Sequence, residues 1–324
     1  MLVRSENMRD NPNMQVDPFS EILTLVRAQH ILSGGFWAGG RWAIRFPVPE
    51  AAKFAAVVKG ACWLKLEDLE EPPVRLETGD VILLNGRYPL VMSSDLGVKP
   101  TPAAKVFANA ANGIAEWNGG KDFFNIGGHL ELDETCANLL LDALPPLIHV
   151  RATSPEAATL QWMLRQLIAE MTTELPGTKL ASSQLAQLML VHILRGHLDT
   201  QGATPPGWLR ALRDKRITTV LRLMHGDPSH AWSLDELAKS ATMSRTNFAL
   251  RFKELVGVAP LTYLAQWRMR LAVRSLTEED RPLSDLALSV GYTSESAFSN
   301  AFKRIVGIAP KRYQSRAIRE SLAQ

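Results

Sequence analysis

The chain has 324 residues, 46% apolar and 21% charged, which is a globular balance at about twice the length of one domain and excludes both a single small module and a disordered or fibrous chain. No run of 18 uncharged apolar residues occurs, and Cys62 and Cys136 stand alone outside any CxxC or Cys/His cluster, so a protein of the reducing cytoplasm is expected, neither secreted nor membrane-bound. The net charge of +3 is split: residues 208–324 carry 19 Lys and Arg against 11 Asp and Glu, while residues 1–207 carry 17 against 22, so a polyanionic partner is expected for the basic C-terminal part alone.

Residues 1–17 read as a disordered tail. Residues 18–150 read as short strands, in GGFWAGGRWAIRF, ACWLKLE, VRLETGDVILLN and FFNIGGHLELD, with tight turns expected at Gly34-Gly35, Gly39-Gly40, Gly79-Asp80 and Gly127-Gly128. The alternation in WLKLE and VRLE is that of an antiparallel sheet with one buried face, which predicts a sandwich or small barrel. Residues 151–199 read as a helical pair. Ser154 caps the first helix and Leu160, Met163, Leu164, Leu167 and Met171 form its stripe, while Leu185, Leu188, Met189 and Ile193 form that of the second. These stripes pack either on the chain's own sheet or on a second subunit, giving a possible homodimer. Residues 200–207, TQGATPPG, read as a linker.

Residues 208–324 read as all helical and contain a repeat. At an offset of 50, Ser244, Phe248, Phe252, Lys253, Val256, Gly257, Ala259, Pro260 and Tyr263 recur as Ser294, Phe298, Phe302, Lys303, Val306, Gly307, Ala309, Pro310 and Tyr313. Upstream, Leu234 and Leu237-Ala238 match Leu283 and Leu286-Ala287 at an offset of 49. Each copy reads as a short helix, a tight turn and a second helix, over about 233–257 and 282–307. Ser233 and Glu236 form an S-x-x-E capping box, Ser244 caps the second helix, and Phe248, Phe252 and Leu255 face the core. Gly257 and Pro260 end the helix, leaving Arg245, Thr246, Ala249 and Leu250 outside. This is the helix-turn-helix pattern, whose second helix lies in the major groove of DNA.

The stretches LDELAKSATMSRTNFALRFKELVGVAPLTYL and LSDLALSVGYTSESAFSNAFKRIVGIAPKRY resemble the DNA-binding domain of AraC/XylS-type bacterial transcription regulators; the second meets every fixed position of that family's signature. The resemblance implies two helix-turn-helix units joined by a long helix, here Pro260 to Leu276, reading adjacent major-groove segments. It implies DNA contacts through Arg245, Thr246 and Leu250 in the first unit and through Glu295, Ser296, Ser299 and Asn300 in the second. Arg251, Lys253, Lys303 and Arg304 read as phosphate anchors, with a solvated surface as the alternative. The N-terminal part, in FPVPEAAKFAAVVKGACWLKL and VRLETGDVILLNGRYP, resembles the cupin-type sensor domains of one branch of these regulators. Metal-binding cupins hold their ion with histidines. Ala55 and Pro89 stand at the corresponding positions here, only His129 remains nearby, and neither His192 with His197 nor His225 with His230 is spaced as a ligand pair. No metal, cofactor or catalytic residue is therefore assigned. Trp37, Trp42, Phe46 and Trp63, with His129, are candidate contacts for a small organic effector, with core packing as the alternative.

The expected fold is α+β and multidomain: an N-terminal antiparallel β domain, a cupin-like barrel or sandwich, then a central helical pair and a C-terminal all-α double helix-turn-helix domain. The expected function is sequence-specific regulation of transcription from promoter DNA in the bacterial cytoplasm, at the nucleoid, in response to a small effector, with RNA polymerase as a partner if the protein is an activator. A cupin-type enzyme fused to a DNA-binding module and a ligand-independent regulator are the alternatives.

Overall fold

The computed structural model describes residues 16–26, 29–49, 51–111, 113–132, 137–172, 175–199, 204–278 and 281–321. The tail up to residue 15, linker residues 200–203 and Cys136 lie outside them. The described residues form two compact units: residues 27–205, and residues 206–324 together with the segment ending at Val26.

The first helix, α1 (Pro18–Val26), carries apolar residues on most positions and belongs with the C-terminal unit, whereas the sequence reading grouped it with the β domain. Asp17 caps it through the Phe19 and Ser20 amides. Its apolar side must be covered, and Phe19 meets Trp208 edge-on at 6.0 Å.

Residues 27–205 build a β-sandwich. The strands are β1 (Gln29–Ala38), β2 (Ala43–Phe46), β3 (Lys53–Lys59), β4 (Ala61–Leu66), β5 (Val74–Glu77), β6 (Val81–Leu84), β7 (Leu90–Ser93), β8 (Thr101–Pro102), β9 (Ile114–Trp117), β10 (Phe123–Glu131) and β11 (Leu147–Val150). One sheet has the order β11-β6-β3-β10-β1-β9 and the other β5-β4-β7-β2-β8. The pairing is antiparallel except for β1 with β9 and β2 with β8, which run parallel. The chain between β8 and β9, through α2 (Ala103–Val106) and a 3-10 turn, crosses from one sheet to the other and brings β9 in alongside β1. Phe36, Ile44, Val57, Leu64, Ile82 and Met92 fill the space between the sheets. Cys62 lies in this core as a free thiol, and burial pushes it up to about 12.

Two of the expected glycine turns are turns, and two are not. Gly39-Gly40 follows β1, and Gly79, at φ 91°, turns β5 into β6. Gly34-Gly35 and Gly127-Gly128 instead sit inside β1 and β10, where the backbones approach closely: a Cβ on Gly35 would lie 2.3 Å from the Asn125 carbonyl oxygen. The Gly79-Asp80 turn also does more than reverse the chain. Asp80, 5% exposed, accepts from the Glu77 and Ala152 amides and lies 2.7 Å from His149 Nε2, tying the turn to β11 and the residues beyond it.

A short α3 (Ala137–Leu141) precedes β11, and α4 (Ala157–Thr172) and α5 (Thr178–Asp199) follow it. Ser154 does not cap α4 through its side chain: the Ala157 amide bonds to the Ser154 carbonyl, and the Ser154 hydroxyl has no partner among the described residues. The two helices pack on each other, and α5 covers β1 and β11, so the sheet of the same unit takes the stripe of Met189, Leu190, Ile193 and Leu194. Leu188 falls outside that stripe and is 45% exposed, as is Leu180 at 68%.

In the C-terminal unit the helices are α6 (Trp208–Ala211), α7 (Lys215–Gly226), α8 (Leu234–Ser240), α9 (Arg245–Val256), α10 (Pro260–Glu278), α11 (Leu283–Ser289), α12 (Glu295–Val306) and α13 (Pro310–Ser321). They make two separate cores. Leu237, Phe248, Phe252 and Tyr263 belong to the first, and Leu286, Phe298, Phe302 and Met269 to the second. No helix of the described residues is long and apolar enough to cross a membrane.

Candidate nucleic-acid interface and sensor cavity

The two recognition helices are built by the same local chemistry. Ser244 accepts from the Asn247 amide at the start of α9, and Ser294 from the Ala297 amide at the start of α12. Gly257 at φ 88° and Gly307 at φ 94° end them in left-handed caps. The capping box of α8 is half formed: Ser233 accepts from the Glu236 amide, while the Glu236 carboxylate turns to His230 Nε2 at 2.9 Å.

With Phe248 and Phe252 buried, helical spacing turns Thr246, Leu250 and Lys253 outward on α9, all exposed, with Ala249 half-buried between them. The equivalent α12 positions are Ser296, Asn300 and Lys303, exposed, with Ser299 half-buried. Arg245 and Glu295 lie exposed at the first position of each helix, and Arg245 Nη1 reaches Asp235 at 3.3 Å. Such an exposed pair is worth about 0–1 kcal/mol, which a phosphate or base edge displaces readily. Arg251 is placed differently from the other anchor candidates: its guanidinium binds Asp214 at 3.0 Å and Glu254 at 3.1 Å, and these carboxylates raise its pKa further. Lys253, Lys303 and Arg304 point outward.

Between the sheets of the β unit lies a cavity of about 400 Å³. Of the proposed effector residues, Phe46 alone lines it. Trp42 is 2% exposed in the core against Phe36, Trp37 stacks flat on Phe124 at 4.2 Å beneath Lys121, and Trp63 lies under Arg75. Strand alternation explains the split. Phe36 faces inward and so turns Trp37 outward; Cys62, Leu64 and Leu66 do the same to Trp63. His129 is half-buried on β10, opposite Lys53 of β3, and Ala55 lies in the cavity wall. Among the described residues no group of three or more His, Cys, Asp or Glu side chains could hold a metal ion.

Comparison with known proteins matches this architecture in both halves. A family model described as Cupin matches residues 17–199, and one described as a Helix-turn-helix domain matches residues 237–316. A Streptomyces antibioticus protein named as an AraC-like transcription regulator is 42% identical over 299 residues, which are 92% of this chain and 98% of that one. The chain belongs to the AraC-like transcription regulators. The transcriptional regulator AlkR of Acinetobacter baylyi is 29% identical over 86% of this chain and 92% of its own. Among solved structures, the DNA-binding domain of AdpA in complex with a target DNA is 30% identical and covers 32% of this chain and 92% of its own, with a TM-score of 0.30.

In this AraC-like regulator one residue outside the repeat holds the two helix-turn-helix units together. Arg268, midway along α10, donates from Nε to the Pro228 carbonyl at 2.6 Å and from Nη2 to the His230 carbonyl at 2.8 Å, both in the loop before α8. Its guanidinium also lies 5.8 Å from the Tyr292 ring, in the turn before α12. The sequence showed only a basic residue in a helix, since its partners lie about forty residues away. The regulator also has a basic groove lined by Arg210, Arg213, Lys215, Arg216 and Arg251. Its signal was legible as LRALRDKR.

His225, whose spacing from His230 does not make a ligand pair, is 6% exposed within the C-terminal unit. Its Nε2 lies 2.9 Å from the Tyr263 hydroxyl and its ring stacks on Trp267 at 3.7 Å, while Nδ1 has no partner among the described residues. Burial, and secondarily Arg270, push its pKa from 6.5 to about 3. A depressed histidine stays neutral in the folded state while the unfolded chain takes up a proton. Its contribution to stability is thus full above pH 6.5 and lost as the pH falls toward 3. Chemical denaturation of the regulator should lose about 1.4 kcal/mol per pH unit across that window from this residue. His225→Gln should flatten the slope; an unchanged slope would mean that His225 is protonated in place.

Proposed function

We propose that one chain reads two successive major-groove segments on one face of the duplex, α9 entering one and α12 the other, with the β unit acting as a sensor for a small effector. The observation that carries this is the pair of equivalent outward faces on α9 and α12, presented by separate cores and tied across by Arg268. Asn300 matches adenine, Arg245 matches guanine, and Leu250, 66% exposed, matches a thymine methyl. Glu295, Thr246, Ser296 and Ser299 fill the remaining outward positions, while Lys253, Lys303 and Arg304 meet phosphates. Successive major grooves recur about every 10 base pairs, so a site near 20 base pairs per chain follows.

The β unit is read as a sensor because its cavity wall is mostly apolar with one amide and one amine, a set suited to holding a small molecule. Exposed Leu180 and Leu188 on α5 suit a second copy of the chain. RNA polymerase is a partner if the regulator is an activator, and the cytoplasm is the place where promoter DNA is met. Thermal-shift screening against a metabolite library tests the sensor role; a regulator that no metabolite stabilises is ligand-independent.

Selection of bound DNA from a random pool tests the interface. Arg245→Ala and Asn300→Ala should each cost on the order of 1–3 kcal/mol and relax different halves of the site. Lys253→Ala should weaken all sequences alike and reduce the salt slope by about 1, because a phosphate contact acts through counterion release. If both base-reading variants relax the same positions, the two-groove reading fails.

A further inference from the structure

The cavity between the sheets has a chemical character beyond its size. Phe36, Phe46, Phe107, Leu90 and Met92 supply large apolar walls, and Ala55, Ala103 and Ala104 leave room among them that longer side chains would fill. Two polar side chains, Asn125 and Lys53, join this lining. Asn125 is 6% exposed, and its Oδ1 has no hydrogen-bond partner among the described residues. An amide oxygen that the protein leaves unpaired at a cavity wall is open to a donor on whatever fills the cavity. Lys53 is half-buried at the start of β3, and no carboxylate of the described residues pairs with it.

The pairing register fixes how far apart these two groups stand. Lys53 lies opposite His129, and Asn125 lies opposite Val57, four residues further along β3. At about 3.3 Å per residue the two backbone positions are separated by roughly 13 Å along the strand. The four-carbon stem of the lysine is long enough to return its ammonium toward the middle, and with the stem so placed the two polar heads would stand roughly 6–10 Å apart. A volume of about 400 Å³ is about thirteen times the ~30 Å³ of a water molecule, enough for on the order of 15 non-hydrogen atoms.

We propose that this cavity binds a small, mostly apolar organic acid that also carries a hydroxyl, with its carboxylate on Lys53 and its hydroxyl on Asn125. This rests on the sensor reading above and adds the class of effector to it. A carboxylate supplies the opposite charge that none of the described residues brings to Lys53. A hydroxyl both donates and accepts, so it serves the amide whichever end it presents. The apolar body between them is held by the aromatic and aliphatic walls, as in most small-molecule sites.

The test uses the full chain and two matched sets of probes: 4-hydroxyphenylacetate with phenylacetate and 4-hydroxyphenylethanol, and 8-hydroxyoctanoate with octanoate and 1,8-octanediol. Binding is measured by calorimetry and by thermal shift. At least one hydroxy acid should bind with Kd below about 1 mM, at least tenfold tighter than either of its matched compounds. Lys53→Met should erase its advantage over the alcohol, and Lys53→Arg should keep it. Asn125→Leu should erase its advantage over the plain acid without lowering the Tm of the unliganded protein, because Oδ1 bonds none of the described residues; a residue with a purely structural role would lower that Tm. Ala55→Leu, which fills part of the cavity, should weaken every member of the set. Alcohols that bind as tightly as acids, and are lost in Ala55→Leu, would overturn the acid class and leave the sensor reading standing. No binding by any hydroxy acid would also overturn it, and the metabolite screen would then decide the sensor reading separately.

Discussion

Gly291→Ala is expected to unfold the second helix-turn-helix unit, at a cost on the order of 3–5 kcal/mol. Gly291 turns α11 into α12 at φ 82°, where a Cβ is strained by the backbone alone. The added methyl would also lie 2.6 Å from the Ser229 carbonyl oxygen and 2.7 Å from Arg268 Nη2. The first is backbone and the second belongs to the guanidinium that ties the two units, so neither moves away without loss. The equivalent residue in the first unit, Thr242, holds the same left-handed conformation at φ 54°. Its hydroxyl donates to the Ala241 carbonyl at 2.7 Å, which offsets part of the strain. Thr242→Gly should therefore change stability by less than about 1 kcal/mol, relief of strain being opposed by the greater freedom of glycine in the unfolded chain. Urea unfolding of both variants measures the contrast. A Gly291→Ala protein within about 1 kcal/mol of the parent would mean that the loop holding Ser229 yields.

Phe298→Ala should cost about 3–5 kcal/mol and should act on the second unit only. Phe298 is fully buried, packs on Phe302 at 5.6 Å and on Tyr292 at 5.9 Å, and belongs to a core separate from the one around Phe248 and Phe252. Hydrogen exchange should rise through 283–306 and stay near parental values through 234–256, with DNA protection lost from one half of the site. Phe248→Ala should produce the mirror result, and the two costs should add, because the residues share no packing partner. Equal exchange in both units after either change would show that Arg268 couples them into one cooperative block.

Much of the DNA-reading half was legible because its structure is written in neighbours. Ser244 and Ser294 bond amides three residues on, Phe248 and Phe252 meet one turn apart, and Gly257 and Gly307 stop the helices where they stand in the chain. Repetition of these local signals at an offset of 50 left one arrangement that satisfied both copies. The β half was legible as strands but not as a cavity. Trp63 followed by Leu64, Lys65 and Leu66 already places that tryptophan outside, while GGFWAGG carries no such period for Trp37.

What the sequence determined by itself was therefore the change from strands to helices, the serine caps and glycine stops of α9 and α12, and the outward face of each of these helices, all set by residues within a turn or two of each other. Only the tertiary structure decided that α1 packs with the C-terminal unit, that Arg268 reaches carbonyls 38 and 40 residues away, that Asp80 holds His149 across 69 residues, and that Asn125 and Ala55 of one sheet share a cavity with Phe46 of the other. The first two depend on how helices pack, and the last two on which strands pair and in what register. Register is a property of the packed core, chosen by the summed burial of many side chains rather than by any one of them.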